Sequence, residues 1–114
     1  MLNLNPEKLS AVVQNAFDAV HGKKLQRRWE SAIVKAQCII TDCAYWHMTE
    51  RQELILLSPD SDEIYETDGQ TCDQIIGERR VHCRAFAQGF PCKHRAMHRL
   101  LVRYGQAGEQ QLAA

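Results

Sequence analysis

The sequence lacks the features that mark an exported or membrane-spanning chain. Its first thirty residues contain no uninterrupted apolar core of the length that a signal peptide needs, and no apolar run approaches the roughly 18 residues of a membrane span. The net charge is zero, because 14 basic residues balance 14 acidic ones, so the overall charge indicates no partner. We therefore expect a soluble, cytoplasmic chain that forms a single domain over residues 1–114. In that compartment the five cysteines would be reduced, which favours metal binding over disulfides.

The first part of the chain, residues 1–37, has the periodicity of helices. Asn5 is a suitable N-cap and Pro6 a suitable first residue for a helix that Gly22 would end. A second helix is predicted from about residue 23 to residue 36, with an apolar stripe on one side and a basic face on the other. The stripe of the second helix consists of Leu25, Trp29, Ala32, Ile33 and Ala36.

Residues 38–68 are predicted to form a small antiparallel sheet. Four short segments rich in Ile, Tyr, Trp, Leu and Thr (CIIT, AYWHMT, ELILLS and EIYET) are separated by turn residues. Together with the helices they predict an α+β fold: two N-terminal helices, a small antiparallel sheet, and a C-terminal β-hairpin plus helix. The residues that we expect to be buried here, with Trp29 from the second helix, are Cys38, Cys43, Tyr45 and Trp46.

The last third, residues 69–105, combines possible metal ligands with a basic helix. The helix is predicted from about Lys93 to Tyr104 and would be ended by Gly105, with residues 106–114 as a flexible tail. Cys92 and His94 stand where this helix begins, and the positive end of the helix dipole favours a thiolate there. Zinc prefers four tetrahedral ligands, so two more must come from elsewhere.

A β-hairpin centred on Gly77 and Glu78 predicts the other two ligands. Glycine at the first central position suits a two-residue type II′ turn, which would place Cys72 opposite Cys83. Their Cα atoms would lie roughly 5.5 Å apart with both side chains on one face, so that two thiolates could share one metal. The same geometry would permit a disulfide, which a reducing compartment disfavours. The predicted site is one zinc ion per chain, bound by Cys72, Cys83, Cys92 and His94, with His82 or His98 as alternatives to Cys72.

The ending "PCKHRAMHRLL", with "GF" before it, resembles the SWIM zinc finger, whose pattern is C-x-C, a short spacer, then C-x-H opening a helix. The resemblance covers roughly residues 64–104, including "EIYETDGQTC", which is similar to the strand and turn before the first ligand in small bacterial members. It applies directly to Cys83, Cys92 and His94. Val81 stands where a strict C-x-C would have its first cysteine, so Cys72 joins the set only through the hairpin. The resemblance implies DNA-binding or protein–protein interaction, as in transposase-like, helicase-associated and mobile-element proteins.

Basic residues are concentrated in the same region. Residues 72–104 hold seven basic residues and two acidic ones, whereas residues 50–68 hold seven acidic residues and one basic. Because Arg95, Arg99 and Arg103 recur every four residues, we expect a continuous ridge on the last helix, which is either a solvated face or a contact surface for phosphates. The candidate nucleic-acid-binding residues are Arg79, Arg80, Arg84, Lys93, Arg95, Arg99 and Arg103.

Three functions can be compared on these residues. The favoured one is a zinc-binding module that contacts nucleic acid, DNA in the first place, or a protein bound to nucleic acid. The second is a protein-interaction adaptor in which the zinc is purely structural. An enzyme is disfavoured, because four ligands would leave zinc no open position and no H-x-E or H-E-x-x-H motif accompanies them.

Overall fold

A computed structural model describes residues 4–42, 45–57 and 63–113, and within these ranges the chain has the predicted α+β fold. The side chains of residues 107–113 lie outside the description. Four helices and a five-stranded sheet are present in the described part. In chain order they are α1 (Pro6–Val20), α2 (Gln26–Thr41), β1 (Tyr45–Met48), β2 (Leu54–Leu57), β3 (Ile64–Thr67), β4 (Cys72–Ile76), β5 (Arg79–His82), α3 (Arg84–Ala87) and α4 (Lys93–Ala113).

The sheet is a simple antiparallel meander in the order β1-β2-β3-β4-β5. Side chains alternate between its two faces, so in β2 Leu54 and Leu56 are buried whereas Ile55 is exposed. The buried face packs against α4, and α1 and α2 pack against α4 from the other side. Helix α4 is therefore the central element of the fold, and its first turn reaches the end of the sheet that carries Cys72.

The main core lies between the three long helices and the inner face of the sheet. Its members recur every three or four residues in the helices, as the helical periodicity predicted for α1, α2 and α4. Those of α4 are Ala96, Met97, Leu100 and Leu101, and those of α1 and α2 are Leu9, Val12, Val13, Ala16, Ala32, Ile33, Ala36 and Ile40. Within the described ranges, no helix has both the length and the apolarity that crossing a membrane requires.

The N-cap prediction for α1 is confirmed. Oδ1 of Asn5 accepts hydrogen bonds from the backbone N–H groups of Glu7 (2.9 Å) and Lys8 (3.1 Å). The backbone N–H of Asn5 also donates to the Tyr104 hydroxyl at 2.8 Å, which ties the start of α1 to the far part of α4. These bonds satisfy N–H groups that a helix start would otherwise leave without an acceptor.

The second helix differs from its prediction at both ends. It begins at Gln26 and continues to Thr41, so the CIIT segment is the last turn of α2 and not a strand. Ile40 extends the buried stripe of Ala32, Ile33 and Ala36, and packing along that stripe outweighs the preference of isoleucine for strands. Cys38 points away from the stripe and is exposed, so its predicted burial is wrong. Cys43 lies outside the described residues.

Two further predictions need correction. Tyr45 is not a core residue, because 74% of its surface is exposed on the edge strand β1, whereas Trp29 and Trp46 are partly buried against the core. Gly105 does not end α4, which runs on to Ala113. Each glycine costs a helix only about 1 kcal/mol, and apart from Gly108 the residues that follow are good helix formers. The flexibility of residues 106–114 stays a prediction.

Candidate metal centre

The β4–β5 hairpin has the predicted register. Gly77 has φ +62°, the left-handed value that the first central position of a type II′ turn requires, and Glu78 has no such value. The strands pair Ile76 with Arg79 and continue to Asp73 with His82. One step further, the backbone N–H of Cys83 donates to the carbonyl of Cys72 at 2.9 Å. The turn therefore brings the two cysteines opposite each other.

Two of the cysteines stand directly before helices. Cys83 is the N-cap of the short helix α3, and Cys92 precedes α4, where its carbonyl accepts from the N–H of Ala96 at 3.1 Å. The sulfur of Cys92 also accepts from the backbone N–H of Arg95 at 3.4 Å, in the place of a capping oxygen. A negative sulfur is favoured at this position, because the free N–H groups of a helix start carry partial positive charge.

The four predicted ligands come together. One atom from each of Cys72, Cys83, Cys92 and His94 lies within 4.8 Å of the others, and all four residues are buried. The distance from Sγ of Cys72 to Nδ1 of His94 is 3.6 Å. Tetrahedral zinc with bonds of about 2.3 Å to sulfur and about 2.05 Å to nitrogen separates such a pair by about 3.6 Å. The cluster could hold one metal ion with little movement of its ligands.

The close sulfurs of the cluster shift one another's pKa in opposite directions. A hydrogen bond from Cys72 is the largest cause that lowers the pKa of Cys83 far below its ordinary value, and the same bond, with burial, raises the pKa of Cys72. The buried sulfurs therefore oppose one another's ionisation. A cation between them would favour their thiolate forms and displace their protons, which couples metal affinity to pH.

Tyr65 is a part of this centre that the sequence interpretation missed. Its ring stacks on the imidazole of His94, with centroids 3.9 Å apart and planes 17° apart, and its hydroxyl donates to Glu63 at 2.7 Å. Burial is the first cause that raises the pKa of Tyr65. Strand alternation could have revealed it, because Thr67 pairs with Cys72 and Tyr65 lies two residues before Thr67 on the same face. The stacked ring holds the imidazole with Nδ1 toward the sulfurs.

The two alternative ligands are engaged elsewhere. His82 is exposed and donates from Nδ1 to Asp73 at 2.8 Å. His98 is buried, and its Nε2 donates to the backbone carbonyl of Gln52 at 2.6 Å. Cys72 is therefore the fourth member of the cluster.

The predicted nucleic-acid residues do not share one surface. Arg95 and Arg99 are half-buried: each donates from Nε to the carbonyl of Gly69, at 3.3 and 3.1 Å, and each guanidinium lies near the ring of Trp29. Arg103 is also half-buried. The ridge on α4 is thus partly covered, and its cations hold the loop before β4 against the helix.

The remaining predicted cations lie in two other places. In the hairpin, Arg79 is exposed, whereas Arg80 is paired with Glu66 at 2.7 Å and lies 3.7 Å from Asp73. The acidic segment therefore neutralises one predicted contact residue. Arg84 and Lys93 line a cleft beside the metal cluster.

Comparison of the chain with family models, with curated proteins and with solved structures finds no match in any of the three.

Proposed function

We propose that the chain is a non-enzymatic zinc module of the SWIM type that binds nucleic acid in the cytoplasm. The observation that carries the metal half of this proposal is the buried set of three sulfurs and one imidazole nitrogen within 4.8 Å. Thiolate-rich sets of this kind favour zinc over magnesium, calcium or manganese, which prefer oxygen ligands. Three cysteines and one histidine are also a common ligand set of structural zinc sites.

The four ligands support a structural role. They come from the hairpin, from the residue before α3 and from the start of α4, so one ion would join three elements that otherwise have a small core. Among the described residues, the large hydrophobic side chains packed on the three buried cysteines are Tyr65 and Phe86 alone. A zinc ion with all four positions filled has no site for a reacting water, which argues against catalysis.

Metal analysis of the purified protein tests the first half. We expect about one zinc per chain, and Cys72→Ser should lose zinc affinity by more than the roughly 10- to 100-fold that loss of an outer-shell partner costs. Cys38→Ser is the matched control, because this cysteine is exposed on α2 and outside the cluster. A wild type without metal, or equal zinc retention in both variants, would contradict the proposal.

The nucleic-acid half is supported by the seven basic residues of the last third and by the exposed cations among them. It predicts that zinc-loaded protein binds arbitrary DNA at low salt and that affinity falls steeply as salt rises. A zinc-loaded protein that binds no nucleic acid would leave the adaptor function, with a purely structural metal, as the better account.

A further inference from the structure

A basic cleft beside the metal cluster remains without a role. It has a volume of about 420 Å³, within the usual size range of small ligand sites. One wall is α2, which contributes Arg28 and Lys35, and the opposite wall is the segment from α3 to the start of α4, which contributes Arg84 and Lys93. Cys92 and His94 also line it, so the second wall of the cleft is continuous with the metal cluster.

The positive charge that lines the cleft is larger than the negative charge of a zinc-loaded cluster. Zinc with three thiolates and a neutral imidazole carries a net charge of about −1. Four cations line the cleft and no acidic residue of the described chain does, which leaves a net charge of about +3 facing solvent. This excess arises in a chain of zero net charge.

These cations are also available. In the parts of the chain that the structure describes, none of the four forms an ion pair with an acidic residue. Lys35 and Arg84 are exposed, on opposite walls. The guanidinium of Arg28 lies 3.7 Å from the centre of the Phe90 ring, which fixes its position without neutralising its charge. Arg95 and Arg99, by contrast, have partners already.

We propose that this cleft binds the phosphodiester backbone of a single-stranded nucleic acid, which deepens the proposed function and depends on it. Cations on two facing walls can contact successive phosphates of one strand that runs between them. The cleft is too small to admit a duplex, and Arg28 already covers one face of the Phe90 ring, so phosphate contacts and not base stacking would supply the affinity. The binding surface is then formed by α2 and the zinc-held segment together, and not by the ridge on α4.

The test measures fluorescence anisotropy of a labelled oligothymidylate of about 12 nucleotides with zinc-loaded protein from about 50 to 200 mM salt. The double variant Lys35→Gln with Arg84→Gln removes one cation from each wall. Each lost phosphate contact on a single strand lowers the slope of log affinity against log salt by about 0.7, so we expect a loss of about 1.4 and a roughly 10- to 100-fold weaker affinity at the lowest salt. Zinc content, measured in parallel, should stay at the wild-type value.

Two matched variants separate the cleft from other surfaces. Lys24→Gln with Arg27→Gln removes two exposed cations outside the cleft and should change affinity by less than about threefold. Arg79→Gln with Arg103→Gln tests the surface expected from the sequence. Oligouridylate in place of oligothymidylate distinguishes RNA from DNA, and binding of either through the cleft supports the inference.

The possible failures are distinguishable. Equal losses in the cleft and control variants, or a loss only in the Arg79 and Arg103 variant, would overturn the cleft while the nucleic-acid function stands. A wild type that holds one zinc but binds neither oligonucleotide would overturn both. Tighter binding of a labelled oligoglutamate than of oligothymidylate, lost in the cleft variant, would replace the nucleic acid by an acidic protein partner.

Discussion

Replacement of Gly69 by alanine should destabilise the zinc-loaded protein more than any other glycine substitution in the described loops. Gly69 has φ +91°, a conformation that costs a residue with a side chain about 1–2 kcal/mol. An added Cβ would also lie 2.7 Å from Nδ1 of His98, which is closer than real Cβ contacts allow. His98 cannot move away freely, because it is buried and its Nε2 donates to Gln52 at 2.6 Å.

The magnitude follows from these two costs. Displacing the buried His98 breaks or weakens its partly buried hydrogen bond to Gln52, which costs about 1–3 kcal/mol. Added to the backbone cost, Gly69→Ala should lower the free energy of unfolding by about 2–5 kcal/mol. Gly77→Ala is the matched control, since its φ is +62° but nothing lies within 4 Å of the added Cβ, and it should cost only about 1–2 kcal/mol.

Urea unfolding of the zinc-loaded proteins, followed by circular dichroism, measures both values, with an unchanged m-value as the sign that the unfolded state is unaffected. The double variant Gly69→Ala with His98→Ala should cost less than the sum of the single changes, because the smaller side chain vacates the space that the new Cβ needs. Equal losses in Gly69→Ala and Gly77→Ala, or full additivity with His98→Ala, would refute the contact on which this reasoning rests.

Three other outcomes are expected. Chelation of the metal should abolish amide exchange protection over residues 72–92, because binding of a structural zinc contributes about 10–16 kcal/mol to folding. Helices α1 and α2 should keep their protection, because they have a separate core. Equal protection with and without metal would contradict this. Because α4 continues past Gly105, Gly105→Ala should raise the free energy of unfolding by up to about 1 kcal/mol in urea unfolding, and an unchanged value would contradict the continuation. Asn5→Ala should lower thermal stability by about 1 kcal/mol through loss of the N-cap, whereas Asn15→Ala, exposed in the same helix, should have little effect.

Local chemistry made parts of this fold predictable. The cap at Asn5 and the Gly77 turn depend on a few adjacent residues, and both are found where they were expected. The hairpin register then fixed the position of Cys72 opposite Cys83 across ten intervening residues. These features need no knowledge of the rest of the chain.

Distant contacts joined the hairpin cysteines to Cys92 and His94 as predicted, but two other predictions that depended on distant contacts failed. The strand assigned to CIIT is a turn of α2, because Ile40 is buried by helices far away in sequence. The arginine ridge on α4 was expected to face solvent or phosphates. Instead, Arg95 and Arg99 both donate to the carbonyl of Gly69, and the guanidinium of Arg99 also lies over the ring of Trp29. The periodicity of a helix predicts which of its faces is buried, but it does not predict which residues contact its polar face.

The position of α4 has a consequence for the order of folding during synthesis. This helix supplies His94 to the metal cluster, directly after Cys92, and Met97 and Leu100 to the main core. Its Tyr104 hydroxyl accepts from the backbone N–H of Asn5, just before α1. Helices α1 and α2 and the whole sheet leave the ribosome before it does. Neither the core nor the ion site can close until α4 has emerged, so the nascent chain would expose cysteines and apolar helix faces until then.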